Sequence, residues 1–165
     1  LVMFPASELH ENLFRFLLTL LSFFLDERGG GSVRGSRYPM RLDGRWSPEP
    51  DLLVVMGERQ QRMTRQRLEG PADLVIEVAS DGDPAFDLRE KLPRYEQAGI
   101  PEIWLLFPAE KLLRVRRKTA DGYVTLEQSS GRFESVVIPG FWIEVSWLWQ
   151  QPLPATSACL RQILG

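Results

Sequence analysis

The sequence predicts an α/β fold: a mixed central sheet flanked by a long N-terminal helix and a crossover helix, with extra antiparallel strands. Three observations predict it. Apolar runs at about residues 51–56, 73–79 and 102–107 have the composition of strands covered on both faces. Residues 84–98, between the second and third runs, read as a helix that stops at Gly99. Strand, helix and strand in that order fit a right-handed crossover between parallel strands. Finally, apolar residues recur at helical spacing near the N-terminus, before any strand signal.

In chain order, Ser7 is the expected N-cap of the first helix, which runs to about Arg28 and is closed by Gly29, Gly30 and Gly31. Leu13, Phe16, Leu17, Leu20 and Phe24 make one face, and Phe14, Leu18, Leu21 and Phe23 widen it almost to a full circle. Such a helix is buried on most sides or lies at a subunit interface. The segment RYPMRL (37–42), the Asp43-Gly44 pair and the arm RWSPEPDLLVVM read as a β-hairpin, with Pro48 and Pro50 limiting pairing at the start of the return. A polar, Arg-rich connector (57–70) leads into PADLVIEVAS. Asp83 is the expected N-cap of the crossover helix and Pro84 its first residue; Pro93 inside it removes a hydrogen bond and is expected to kink it. IPEIWLLF is the next buried strand. LLRVRRK, GYVTLEQ and ESVVI read as short antiparallel strands, followed by the Trp-rich FWIEVSWLWQ. From Pro152 onward a loosely attached tail or a short helix is expected.

Composition narrows the function. The 165 residues suit one domain, residues 1–165, with a core that needs no staples. A net charge of −2 and a pI of about 5.6 exclude coating of nucleic acid by bulk charge, so such contact needs a local patch. A single cysteine, Cys159, excludes an intramolecular disulfide framework, and a single histidine, His10, leaves almost no room for a His/Cys zinc site. A metal in this chain has to be hard and oxygen-ligated, such as magnesium or manganese. Leu13–Leu25 is shorter than the roughly 18 residues expected of a spanning helix, and Arg15 interrupts it. With no basic n-region or cleavage site before it, the expected location is cytoplasmic.

Glu77 is the residue that asks for an explanation. It stands within an apolar strand, where an ionised carboxylate is costly unless it is paired, hydrogen-bonded or bound to a metal. Alternation puts Asp73, Val75, Glu77 and Ala79 on one face of the strand. Asp51 opens the preceding apolar strand, and Lys91 lies on the following helix. Strands about 5 Å apart let two carboxylates on one side share a divalent cation, and a helix over that face can deliver an ammonium group. Phosphodiester hydrolysis uses such a set. The cation draws charge from the phosphate and acidifies its water, and the lysine orients the water or stabilises developing charge.

The strings EPDLLVV and GPADLVIEVAS, then Asp87, Lys91, Tyr95 and Gly99 in DLREKLPRYEQAGIPEIWLLFP, and the late VVIPGFWIEVSWLW, together resemble the Uma-two family of restriction-endonuclease-type proteins, within the PD-(D/E)XK nuclease superfamily. The likeness covers about residues 10–150. It implies a restriction-endonuclease-like mixed sheet and a magnesium-dependent endonuclease acting on DNA, with manganese as an alternative metal. Asp51 then corresponds to the aspartate of the PD element and Glu77 to the acidic residue of (D/E)XK. Ala79 stands where the superfamily has lysine, and Lys91 takes that role from the next helix. Glu11, with Glu8, and Asp73 are secondary candidates.

Each residue also has a plainer reading. Asp51 can end a strand by bonding loop amides. Glu77 can form a salt bridge to Lys91 or Arg89, and Lys91 can pair with Asp87 on the helix surface. His10 is expected to be a capping or partly buried residue rather than a ligand or base. Arg62 and Arg65, with Arg59 and Arg67, are candidates for phosphate contact, although a solvated connector is the commoner explanation. Arg114, Arg116, Arg117 and Lys118 suit the outward face of an edge strand. Trp142, Trp147 and Trp149 suit core or dimer packing better than a base-stacking platform. A homodimer is expected from the apolar excess of the first helix and the Trp-rich end. Two alternatives stand beside the nuclease: a catalytically silent DNA-binding or regulatory module on the same fold, and a structural homo-oligomeric domain.

Overall fold

The computed structural model describes residues 5–35, 37–79 and 84–165, with side chains from residue 8 in the first helix and from residue 88 in the second. Helix α1 is Pro5–Arg28. It begins before Ser7, so Ser7 lies inside the helix rather than at its N-cap. Proline suits a first helical position because its φ is already helical and its missing N–H would have no partner there. The other end is as expected: Gly29 takes φ +72° and its N–H bonds the Leu25 carbonyl at 2.7 Å.

Strand β1 (Gly31–Gly35) pairs antiparallel with β3 (Leu52–Met56). This pairing replaces the hairpin expected from residues 37–56. Two glycines in five residues weaken the strand signal, yet both have a packing reason. A Cβ at Gly31 would collide with the Met56 sulfur, and one at Gly35 would come within 2.6 Å of the Phe14 ring. Of the hairpin the Asp43-Gly44 turn remains, with backbone bonds across it, Leu42 N–H to the Trp46 carbonyl and Met40 N–H to the Pro48 carbonyl, but the arms go no further together. The turn holds one bridge, Asp43 to Trp46, and Asp43 Oδ1 accepts the Arg45 N–H at 2.6 Å. Strand β2 (Met40–Arg41) runs parallel to β4 (Leu68–Glu69) instead.

The main sheet continues with β5 (Leu74–Val78), β6 (Glu102–Phe107), β7 (Leu112–Thr119) and β8 (Gly122–Gln128), in spatial order β1-β3-β5-β6-β7-β8. Strands β5 and β6 are parallel and α2 (Pro84–Gln97) connects them; the other neighbours are antiparallel. The sheet is therefore mixed, as the sequence predicts. The N-cap expected at Asp83 lies outside the described residues. Strand β7 is internal, not an edge, and its arginines pair with Glu127, Glu96 and Glu102. The strand expected at ESVVI shifts upstream to β9 (Arg132–Glu134), which pairs with β10 (Trp142–Glu144). Beyond it, Ser135 Oγ accepts the N–H groups of Val137 and Ile138 and turns the chain.

Alternate strand residues fill two cores. Leu52, Val54, Leu74, Ile76, Trp104, Leu106, Leu113 and Val115 pack under α1. Leu53, Val55, Val75, Ile103 and Leu105 pack with Leu88 and Tyr95 of α2 and with Met40 and Leu68. The C-terminal segment is a docked helix, α3 (Thr156–Leu164), which buries Cys159 and Ile163 in the first of these cores. Much of the apolar excess of α1 is thus met within the chain, by β1 and α3. Phe23 remains 55% exposed. Among the described residues no helix is long and apolar enough to cross a membrane.

Candidate active site

The site forms where the start of β3 meets the end of β5. The register that pairs Leu52 with Ile76 continues outward and sets Asp51 opposite Glu77. Two hydrogen bonds follow from it. The Val78 N–H donates to Asp51 Oδ2 at 2.7 Å, and the Asp51 N–H approaches Glu77 Oε1 at 3.4 Å. Glu77 points to the α2 face of the sheet, where it is only 3% exposed. One face of α2 covers it with two side chains four residues apart, the spacing that stacks neighbours along a helix. The Tyr95 hydroxyl donates to Glu77 Oε2 at 2.6 Å, and Lys91 Nζ lies 3.4 Å from the same oxygen. Asp51, Glu77 and Lys91 therefore come together from two strands and a helix.

A fourth group arrives from the opposite layer. His10 of α1 sets Nε2 3.2 Å from Asp51 Oδ2. Partly buried was the right expectation for this histidine; its contact with an acidic site residue was not foreseen, because no periodicity relates the first helix to the start of β3. Tyr95 belongs to the quoted family-like string but was given no role. Its place four residues after Lys91 was the available signal.

The electrostatics are set by burial. Desolvation raises the Glu77 carboxyl to about 7, and the Asp51 charge adds to the rise, while Lys91 and the Tyr95 hydrogen bond oppose it. His10 is raised above its ordinary value, first by the hydrogen bond to Asp51, and burial opposes this. Near neutral pH, Glu77 is divided between its two protonation states, so a cation beside it would favour the ionised form.

The donor set fits a hard divalent ion. Among the described residues no donor bonds Asp51 Oδ1, and Glu77 Oε1 has only the long contact to Asp51 N–H. These two oxygens come from adjacent strands. Among the described residues no three His, Cys, Asp or Glu side chains are grouped so as to hold a metal ion, so any ion here would rest on these two carboxylates. Two carboxylates with water filling the remaining positions suits magnesium, which dehydrates reluctantly.

The other candidates lie elsewhere. Asp73, at the far end of β5, accepts the Met56 N–H at 2.7 Å and pairs with Arg59 at 3.2 Å. Glu8 and Glu11 are exposed on α1; the Glu11 charge also acts on His10. Arg62 and Arg65 are exposed on the connector, while Arg59 and Arg67 are tied to carboxylates. Position 79 is a half-buried alanine packed against the α2-side core. Asp87 is a residue whose side chain lies outside the described set. At the other end of the sheet, a buried cluster that sequence reasoning missed centres on Glu102, which is 0% exposed. It accepts from Arg117 at 3.0 Å, from Ser135 Oγ at 2.7 Å and from the Val136 N–H at 3.2 Å.

The model of the Uma2 family, described as "Putative restriction endonuclease", matches residues 1–146 of the chain. Among solved structures, the chain is similar to a "putative nuclease belonging to DUF820" from Anabaena variabilis. The TM-score is 0.70 at 14% sequence identity, over 86% of this chain and 80% of that one. At that identity the likeness is one of fold. No curated protein matches the chain.

Proposed function

The chain belongs to the Uma2 family, whose description reads "Putative restriction endonuclease", and from that premise we propose that it is a metal-dependent endonuclease hydrolysing phosphodiester bonds in DNA. The observation that carries the reading is the meeting of Asp51, Glu77 and Lys91 at one end of the sheet. Asp51 and Glu77 would hold magnesium, or manganese in its place. The ion, when bound, supplies Lewis acidity toward the scissile phosphate and a more acidic water. The protein's own groups do the rest. Val78 N–H and His10 both fix Asp51 Oδ2, and Tyr95 fixes Glu77 Oε2. Lys91 supplies an ammonium group that orients a water and stabilises charge building on the phosphate oxygens. Its reach from α2 compensates for Ala79 in β5. As a homodimer the protein would present two such sites to the two strands of a duplex.

The test is cleavage of supercoiled, linear and branched DNA with magnesium and with manganese, run beside Glu77→Gln. Cleavage by the native protein and none by the variant is the expected result. Equal cleavage by both removes Glu77 from the chemistry. Binding without cleavage by either would favour the silent DNA-binding module, the reading to which Ala79 lends weight.

A further inference from the structure

A hollow of about 820 Å³ is lined by the 42–46 turn and the C-terminal end of α2, the helix that also carries Lys91 and Tyr95. Two cationic side chains, Arg45 and Arg94, face it with Gln97 and the Trp46 indole. The Arg94 guanidinium lies over the Trp46 ring, 4.8 Å from its centre. Arg59, Arg67, Arg114, Arg116 and Arg117 each have a carboxylate partner. Arg45 and Arg94 have none among the described residues, although Asp43 also lines the hollow and holds the Arg45 N–H. Trp46 in turn rests 5.8 Å from Tyr95, the residue that holds Glu77. Arg94 stands three residues after Lys91, so the two side chains are neighbours on one helix face, roughly 5–6 Å apart at Cβ.

We propose that this hollow is a subsite for an unpaired nucleotide next to the scissile phosphate, with Arg45 and Arg94 on its phosphate and its base stacked on the Trp46–Arg94 pair. This rests on the nuclease reading and narrows it to nucleic acid with single-stranded character, such as a frayed end, flap or gap. A flat aromatic and a guanidinium plane accept any base, but only one freed from its duplex stack. Two arginines can grip a phosphate through several N–H groups. The remaining wall, formed by the Leu42 side chain and the Asp43-Gly44 turn, bounds the space without filling it.

The experiment is fluorescence anisotropy in chelator, where no cleavage occurs, with a labelled oligothymidylate of about a dozen residues and a duplex of similar length. Compared are the native chain, Arg45→Gln/Arg94→Gln and, as a control on the exposed face of α3, Arg161→Gln. The double variant should weaken single-strand binding roughly tenfold or more and lower its salt dependence, by about 0.7 in log–log slope per lost phosphate contact, with duplex binding changed less than about twofold. The Arg161 control should resemble the native chain. No single-strand binding by the native chain, an unchanged double variant, or equal losses for both DNAs would overturn the subsite. The two readings fail separately. Glu77-dependent cleavage with an unaffected double variant removes only the subsite; absent cleavage with the expected binding loss removes only the catalytic reading.

Discussion

Replacing Glu77 by glutamine should change how stability depends on pH, and by a predictable amount. In the folded protein burial raises this carboxyl from its ordinary value of 4.5 to about 7. The unfolded chain releases the proton near the ordinary value, whereas the folded chain keeps it to about pH 7. Between these limits the folded state binds more protons, so its stability falls as pH rises, and the loss is complete above about pH 7. The shift corresponds to roughly 3 kcal/mol, a large part of the 5–15 kcal/mol that typically holds a domain together. Glutamine keeps an oxygen for the Tyr95 hydroxyl but has no charge to bury. Urea unfolding at 25 °C in chelator, followed by circular dichroism at pH 5 to 8, measures the difference. The native chain should lose roughly 2–3 kcal/mol more than Glu77→Gln across that range, part of the effect lying below pH 5. Curves that stay parallel within about 0.5 kcal/mol would refute the claim that burial governs this group.

Three further outcomes follow from the same geometry. Lys91→Ala should lower the cleavage rate about 10²–10³-fold while keeping any stabilisation by magnesium, the loss expected when one donor to a developing charge is removed; an unchanged rate would return Lys91 to a helix-surface ion pair. His10→Gln should remove a part of the stability that the native chain has below about pH 6.5 and loses as pH rises through the raised folded value, because Asp51 favours the charged ring; a difference in urea stability between the two proteins that does not change with pH would count against that contact. Arg117→Met should cost about 3–5 kcal/mol by leaving the fully buried Glu102 with only Ser135 and an amide, and the double variant with Glu102→Met should recover most of it; a loss under about 1 kcal/mol would show that the carboxylate needs no cation.

The strands that carry Asp51 and Glu77 were legible because both faces of the sheet are covered, and covered strands are written as short apolar runs. Glu77 stood out against that background for the same reason. The parallel pair β5 and β6 followed from the helix between them. Strand β1 was not legible: its glycines serve close contacts with Phe14 and Met56, and a contact partner leaves no mark on the local pattern. Asp43-Gly44 did make a turn, but a turn signal does not say how far the flanking chain pairs. The Pro39 carbonyl takes the Leu68 N–H in the parallel β2–β4 pair, and Pro48 bonds back across the turn only to Met40.

By itself the sequence determined which face of β5 holds Glu77 and which helix overlies it. These depend on alternation, helical period and residue chemistry, all local properties. Only the tertiary structure decided that His10 reaches Asp51 from the opposite layer, that Asp73 is spent on Arg59 and a backbone amide, and that Trp46 meets Arg94 over Tyr95. Those contacts join segments far apart in the chain, and strand register and helix docking, which arise from packing the whole core, set them.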